Sequence, residues 1–158
     1  MASCPECGQS FELLGKHWNY SEDHRPDLSD RQYDLITGVL MGDGTIAKRK
    51  SDGSNPILQV KMVSPNYLEY IDDVFGCLGT GVNLYKTAKE NAQSIRDSGF
   101  SPSATKETCS DVYIWRTRSH PEIKEFSGWY SSGRKVFPDD IDLTATVLKH
   151  WYCCDGNW

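Results

Sequence analysis

No segment of this 158-residue chain is apolar for long enough to span a bilayer. A secretory leader is missing too, since Met1-Ala2-Ser3 runs straight into Cys4 without a basic region or an apolar core. The chain is therefore expected to be intracellular and cytoplasmic, with no membrane partner. Positive charge is also short: 17 Lys and Arg face 22 Asp and Glu, for a net charge of −5. That balance excludes a general attraction to polyanions, so any nucleic-acid contact must come from basic residues concentrated locally. The six cysteines would suit disulfides in an oxidising compartment, but a reducing cytosol and the Cys-x-x-Cys spacing of Cys4 and Cys7 favour a metal. The hydrophobic content of 38% supports one compact domain with a small appendage.

What is present is a repeated device. Leu35-Ile36-Thr37-Gly38-Val39-Leu40-Met41-Gly42-Asp43-Gly44 runs an apolar helical segment into an Asp-Gly, and Leu148-Lys149-His150-Trp151-Tyr152-Cys153-Cys154-Asp155-Gly156 repeats it. The two aspartates stand 112 residues apart, as in a duplicated unit. A carboxylate is badly placed at a helix C-terminus, where unpaired carbonyls carry about half a negative charge, unless a cation sits beside it. Two such aspartates point to a divalent-metal site, the alternative being ordinary helix ends. Gly44 and Gly156 are expected to close the helices in the left-handed conformation. Gly38 and Gly42 share one face of the first helix, and a helix interface along that face would bring Asp43 and Asp155 together.

At these residues the sequence resembles the LAGLIDADG homing endonucleases, specifically the single-chain branch carrying two motifs. Ser64-Pro65-Asn66-Tyr67-Leu68-Glu69-Tyr70, the segment Val112 to Arg118 with Ser119-His120-Pro121, and Lys135-Val136-Phe137-Pro138 look like the family in the same order. The resemblance covers roughly residues 28 to 158. It implies hydrolysis of two phosphodiesters in double-stranded DNA, one motif aspartate serving each strand through Mg2+, in support of intron or intein mobility. Metal ions there would activate water and neutralise the scissile phosphate and the leaving 3′ oxygen. Lys135 matches a family lysine near the cleavage centre, its alternative being a solvated lysine beside Arg134. Family members with two motifs continue through a second set of strands, whereas this chain stops at Asn157-Trp158. The expectation is a truncated, split or degenerate enzyme, completed by a second polypeptide or a self-dimer. Cys154 stands where the family often has an acid or a small residue.

The expected fold class is α+β, a half-domain saddle ordered α-β-β-α-β-β-α. A helix near Asp30 to Gly42 opens with Ser29 and Gln32 at capping-box spacing. Strands are expected at Thr45 to Lys50, Ile57 to Val63, Val82 to Tyr85 and Val112 to Arg118, and a helix at Pro65 presents Leu68, Ile71, Phe75 and Leu78 to the core. The polar stretch Lys86 to Ser110 reads as a long loop or flexible hairpin. A helix near Pro121 to Tyr130 precedes a loop at Gly133 to Pro138, and Thr144 opens the second motif helix. Alternation in Ile57 to Met62 sets Leu58, Val60 and Met62 against Gln59 and Lys61, and a later strand sets Arg116 and Arg118 against Tyr113, Trp115 and Thr117. With Lys48, Arg49 and Lys50, the residues Gln59, Lys61, Arg116 and Arg118 form a polar, basic face for phosphates and base edges, or else a solvated sheet face.

Residues 1–26 read as a zinc-finger-like segment ahead of the endonuclease domain at 28–158. Cys4, Cys7, His17 and His24 follow the pattern Cys-x2-Cys-x9-His-x6-His, two thiolates and two imidazoles that suit tetrahedral Zn2+. A segment this short needs a metal to fold, with Phe11 and Leu14 as a small core. The alternatives to a homing endonuclease are a non-cleaving, maturase-like nucleic-acid binder and a zinc-stabilised interaction module.

Overall fold

The computed structural model describes residues 1–47, 55–131 and 134–155. A hairpin of β1 (Ala2–Ser3) and β2 (Ser10–Phe11) leads into α1 (Leu14–Tyr20) and a short 3-10 turn at Glu22–His24. There follow α2 (Asp30–Met41), β3 (Thr45–Ala47), β4 (Ile57–Met62), α3 (Pro65–Phe75), β5 (Asn83–Lys86), α4 (Ala88–Asp97) and β6 (Val112–Arg116). A 3-10 helix at Glu122–Trp129, the small hairpin of β7 (Tyr130–Ser131) and β8 (Arg134–Lys135), and α5 (Ala145–Asp155) complete it. The principal sheet is antiparallel in the order β3-β4-β6-β5.

Local chemistry explains most of these boundaries. Ser29 and Gln32 form the reciprocal capping box at the entry of α2, and Pro65 occupies the first turn of α3, where its missing N–H costs nothing. Thr144 opens α5, its hydroxyl accepting from the Val147 N–H at 3.1 Å and donating to Asp34 Oδ2 at 2.7 Å. Residues 86–110 correct the expected loop, because Ala88–Asp97 is helical. Thr87 and Glu90 make a second capping box there, satisfying first-turn N–H groups in a stretch with little apolar surface. The segment before β7 is a 3-10 helix that buries Ile123, Phe126 and Trp129.

The core lies between α2, α3 and one face of the sheet. Leu35, Ile36, Val39 and Leu40 of α2 meet Leu58 and Val60 of β4, Leu68, Ile71 and Phe75 of α3, and Trp115 of β6, all buried. Cys4, Leu14 and Trp18 belong to the same contiguous cluster. The His120 ring lies 3.0 Å from the Pro26 carbonyl through Nε2, and Glu122 accepts from the Leu28 N–H and the Tyr33 hydroxyl. These bonds tie the stretch before α2, and Tyr33 of α2, to the segment that follows β6.

Beyond the sheet, α2 packs along α5. A Cβ placed on Gly38 would lie 2.5 Å from the Val147 carbonyl oxygen and 2.7 Å from His150 Cβ, and one on Gly42 would lie 2.5 Å from Cys154 Cβ. Gly44 does not take the left-handed conformation expected of it, since its φ is not positive. Its N–H instead donates to the Val39 carbonyl at 2.7 Å, and a Cβ would stand 2.6 Å from that oxygen. Gly156 lies outside the described residues.

Gly38→Ala is expected to destabilise the protein by about 1–3 kcal/mol, because the groups it would strike belong to backbone and Cβ atoms that cannot rotate away. Gly15→Ala, with nothing within 4 Å of the added Cβ, should be neutral or stabilising by up to ~1 kcal/mol. Urea unfolding of the two variants checks the contrast.

Candidate functional site

Three groupings stand out: the helix ends carrying Asp43 and Asp155, the polar face of the sheet, and the cysteine-histidine cluster.

Asp43 follows α2 after the cap residue Gly42 and Asp155 is the last described residue of α5, so the glycine interface brings both aspartates to the same end of the helix pair. The would-be Cβ of Gly42 lies 3.4 Å from Asp155 Cβ. Lys135, on β8, donates from Nζ to the carbonyls of Gly42 at 2.7 Å and Gly44 at 3.0 Å. The helix end thus already has one cation, and it comes from the chain itself. Partial burial and then the Asp155 charge hold the Asp43 carboxyl above its ordinary range, with Lys135 offsetting part of the rise. Burial likewise pulls Lys135 below its ordinary range, against Asp43, Cys154 and Asp155. Cys154 is buried against Gly42, and burial pushes its thiol up to about 11, which leaves it neutral and apolar.

Tyr67, His150 and Tyr70 brace this corner from behind. His150 is buried, its Nδ1 lies 2.6 Å from the Tyr67 hydroxyl, and both tyrosine rings lie against it. Burial is the main reason that its pKa falls to about 4, so the ring is neutral at physiological pH. Tyr70 in turn accepts from Arg31 and Lys149. Sequence reasoning placed Tyr67 and Tyr70 in a family-like segment and His150 in the second motif without giving them a role, and their meeting across α3 and α5 carries no local signal.

On the sheet, Gln59 of β4 stands directly opposite Arg116 of β6, and Arg116 Nε donates to Gln59 Oε1 at 3.1 Å. Lys61 lies 4.1 Å from the centre of the Tyr85 ring, and Lys86 lies 5.5 Å from it. The structure therefore brings together Gln59, Lys61 and Arg116 and adds Tyr85 and Lys86, which the sequence did not single out. Arg118 lies past the end of β6 and donates from Nε to the Cys77 carbonyl at 2.9 Å, apart from this group. Lys48, Arg49 and Lys50 lie outside the described residues.

In the N-terminal segment, the ligand atoms of Cys4, Cys7, His17 and His24 all lie within 4.8 Å of one another. The Cys4 N–H donates to Gln9, and Gly8, with φ +70°, lets the chain turn back so that its N–H reaches the Cys4 carbonyl. His17 Nε2 lies 3.1 Å from His24 Nδ1 and 3.7 Å from Cys7 Sγ. A tetrahedral ion with bonds of about 2.0–2.3 Å sets its ligand atoms at about 3.3–3.8 Å, so the donor set is of the type zinc takes and its cluster, within 4.8 Å, is compatible with one. Burial raises the Cys4 pKa, but the N–H groups of Cys7 and Glu6 and the His17 ring outweigh it and bring the thiol to about 6. Phe11 stacks on His17 with ring centres 4.0 Å apart, and Leu14 and Trp18 supply the apolar floor.

Because the folded state raises the Asp43 pKa, it holds that proton more tightly than the unfolded chain. The contribution to stability is present below the unfolded pKa and lost as pH rises through the folded one. Asp43→Asn removes the repulsion, so it should raise Tm at pH 8 relative to the natural chain, with the difference shrinking as pH falls to 4. Thermal unfolding across pH in the absence of divalent ions checks both halves.

Among the described residues no helix is long and apolar enough to cross a membrane. The chain is similar to an uncharacterised protein of Methanocaldococcus jannaschii, 26% identical over 96% of this chain and 57% of that protein. It is also similar to a cytochrome b mRNA maturase, bI2, of Debaryomyces hansenii, 26% identical over 82% of this chain and 47% of that one. RecA of Mycolicibacterium chitae aligns at 26% identity over 92% of this chain and 30% of its own length. The fold is shared with the homing endonuclease I-WcaI, solved bound to its DNA recognition sequence. That match has a TM-score of 0.66 and 18% identity, covering 96% of this chain and 60% of that one. The chain thus spans less than two thirds of each of these relatives. Residues 33–158 match the LAGLIDADG DNA endonuclease family, and the protein belongs to that family.

Proposed function

We propose that this chain is a site-specific homing endonuclease of the single-chain, two-motif kind, or one part of such an enzyme, acting on double-stranded DNA. The observation that carries the reading is the convergence of the helix ends bearing Asp43 and Asp155, with the Lys135 ammonium bonded to the carbonyls on either side of Asp43. Two carboxylates that repel each other at an exposed corner form a donor set suited to a hard divalent cation. Asp43 and Asp155 would hold Mg2+, which when bound activates water and neutralises charge on the scissile phosphate and the leaving 3′ oxygen. Lys135 adds a fixed positive charge beside the phosphate, and its carbonyl bonds hold it there. Gly38 and Gly42 set the distance between the two acids. Gln59, Lys61 and Arg116, with Lys48, Arg49 and Lys50, supply contacts to phosphates and base edges.

The outward side of α5 supports a further element of the reading. Leu148 is 44% exposed and Trp151 37% exposed on that side, whereas Val147, His150 and Cys154 are buried against α2. A second polypeptide, a self-dimer or a further part of the protein would cover that stripe and complete the DNA-binding surface. The maturase relative favours the second reading, a nucleic-acid binder that does not cleave.

Incubation of the protein with a randomised duplex library and Mg2+ tests the first reading. Nicking or cleavage should appear and should be abolished by Asp43→Asn and by Asp155→Asn. Retention of duplex in Ca2+ with no strand scission in Mg2+ would favour the maturase-like reading instead.

The N-terminal cluster extends the proposal: Cys4, Cys7, His17 and His24 hold a structural Zn2+. Chelation at a zinc level of about 100 times Kd removes about 2.7 kcal/mol, so Tm should fall by roughly 5–10 °C in a chain of this length and recover on adding zinc. Cys7→Ser should abolish the metal-dependent part of that shift.

A further inference from the structure

We propose that Arg116 and Gln59 form one base-reading unit that selects guanine close to the scissile bonds. The inference rests on the DNA reading above and deepens it by assigning a base preference to particular atoms.

The unit is built by strand register. Thr45, Gln59 and Arg116 lie in one row across three neighbouring strands, Thr45 opposite Gln59 and Gln59 opposite Arg116. The Gln59 amide is held from both sides. Its Oε1 accepts from Arg116 Nε at 3.1 Å, and its Nε2 reaches Thr45 Oγ1, more loosely, at 3.5 Å. Thr45 Oγ1 also donates to the Gln59 backbone carbonyl at 3.4 Å. These bonds fix which end of the amide faces the arginine.

The consequence for recognition follows from donor and acceptor arithmetic. A glutamine reads adenine by offering its oxygen and nitrogen together to N6 and N7. Here each of those atoms already makes one bond within the sheet, which turns the amide toward Arg116 and Thr45 and sets adenine reading in competition with those bonds. Among the described residues Arg116 spends only Nε on the glutamine, which leaves the N–H groups of both terminal nitrogens for O6 and N7 of guanine. Holding the guanidinium in place beforehand lowers the ordering cost of that contact. Lys61 and Lys86, beside Tyr85 on the neighbouring strands, are placed to engage phosphates while the arginine reaches a base. Thr45 comes two residues after Asp43, so the row lies at the catalytic end of the sheet and the guanine it reads lies near the cleavage positions.

Selection of bound duplexes from a randomised library by the full chain, in Ca2+ at low salt, tests this. The natural protein should fix guanine at one position. Arg116→Lys keeps the charge but not the two-pronged donor, and should weaken that preference roughly 5- to 150-fold with the salt dependence unchanged. Gln59→Met, similar in length, should weaken the same position less and leave the others alone. A guanine preference indifferent to Arg116→Lys, an adenine preference lost with Gln59→Met, or retention of duplex with no base preference would each overturn the inference while leaving DNA binding intact. Failure to retain any duplex would overturn the DNA reading and this inference with it.

Discussion

The close approach of α2 and α5 at Gly38 and Gly42 is the constraint on which the rest of the molecule depends. At two points the neighbouring helix stands where a side chain would begin, so no substitution can be absorbed by a change of rotamer. Everything at the Asp43 and Asp155 end inherits its position from that contact. Asp43 lies immediately after Gly42, Asp155 immediately after Cys154, and the carbonyls that hold Lys135 belong to Gly42 and Gly44. A neutral, buried Cys154 suits this role, because a carboxylate there would stand in the interface beside the other two acids.

Charge in this protein is arranged against its own stability at one place and in favour of it elsewhere. The helix macrodipoles and the paired aspartates concentrate negative potential at a single corner, and Lys135 relieves only part of it. Such a corner is unfavourable by itself and would become favourable beside a bound cation, as the proposed metal reading requires. The overall charge of −5 leaves the proposed DNA contact to local charge. On the proposed reading, a DNA backbone would meet the local field of Lys61, Lys86 and Arg116, and distant surface acids are screened over about 8–10 Å.

Much of this was legible in the sequence where the signal is local. Ser29 and Gln32 announced α2, Pro65 announced α3, and the Gly38 and Gly42 spacing announced the helix contact. Thr87 and Glu90 carry the same capping signature but were passed over, because α4 buries little beyond Ala92 and lacks the apolar period that usually accompanies a cap. The Gly44 expectation failed for another reason: a glycine after a helix can be required by a carbonyl at close range as well as by a left-handed φ, and sequence does not separate the two. The Thr45, Gln59 and Arg116 row could not be read at all. Each residue was visible on its strand, but their alignment depends on a register set by pairings 14 and 57 residues apart in the chain.

The two long helices of the motif pair are not equivalent, and the difference bears on how the site is held. α2 is buried on both sides, by the sheet and by α5, so its end is fixed from two directions. α5 is fixed from one: Val147, His150 and Cys154 face inward, and Leu148 and Trp151 face solvent. The bonds that compensate are polar. His150 to Tyr67, Thr144 to Asp34, and Lys149 to Tyr70 tie α5 to α3 and α2 at its middle and its start. None of these three engages the last turn, where Asp155 sits; there the buried contact of Cys154 with Gly42 is the chief restraint. Covering the Leu148 and Trp151 face would therefore do more than bury apolar surface. It would add a restraint on Asp155 from the Leu148 and Trp151 side, so on the proposed reading assembly and the geometry of the second acid are two aspects of one packing event.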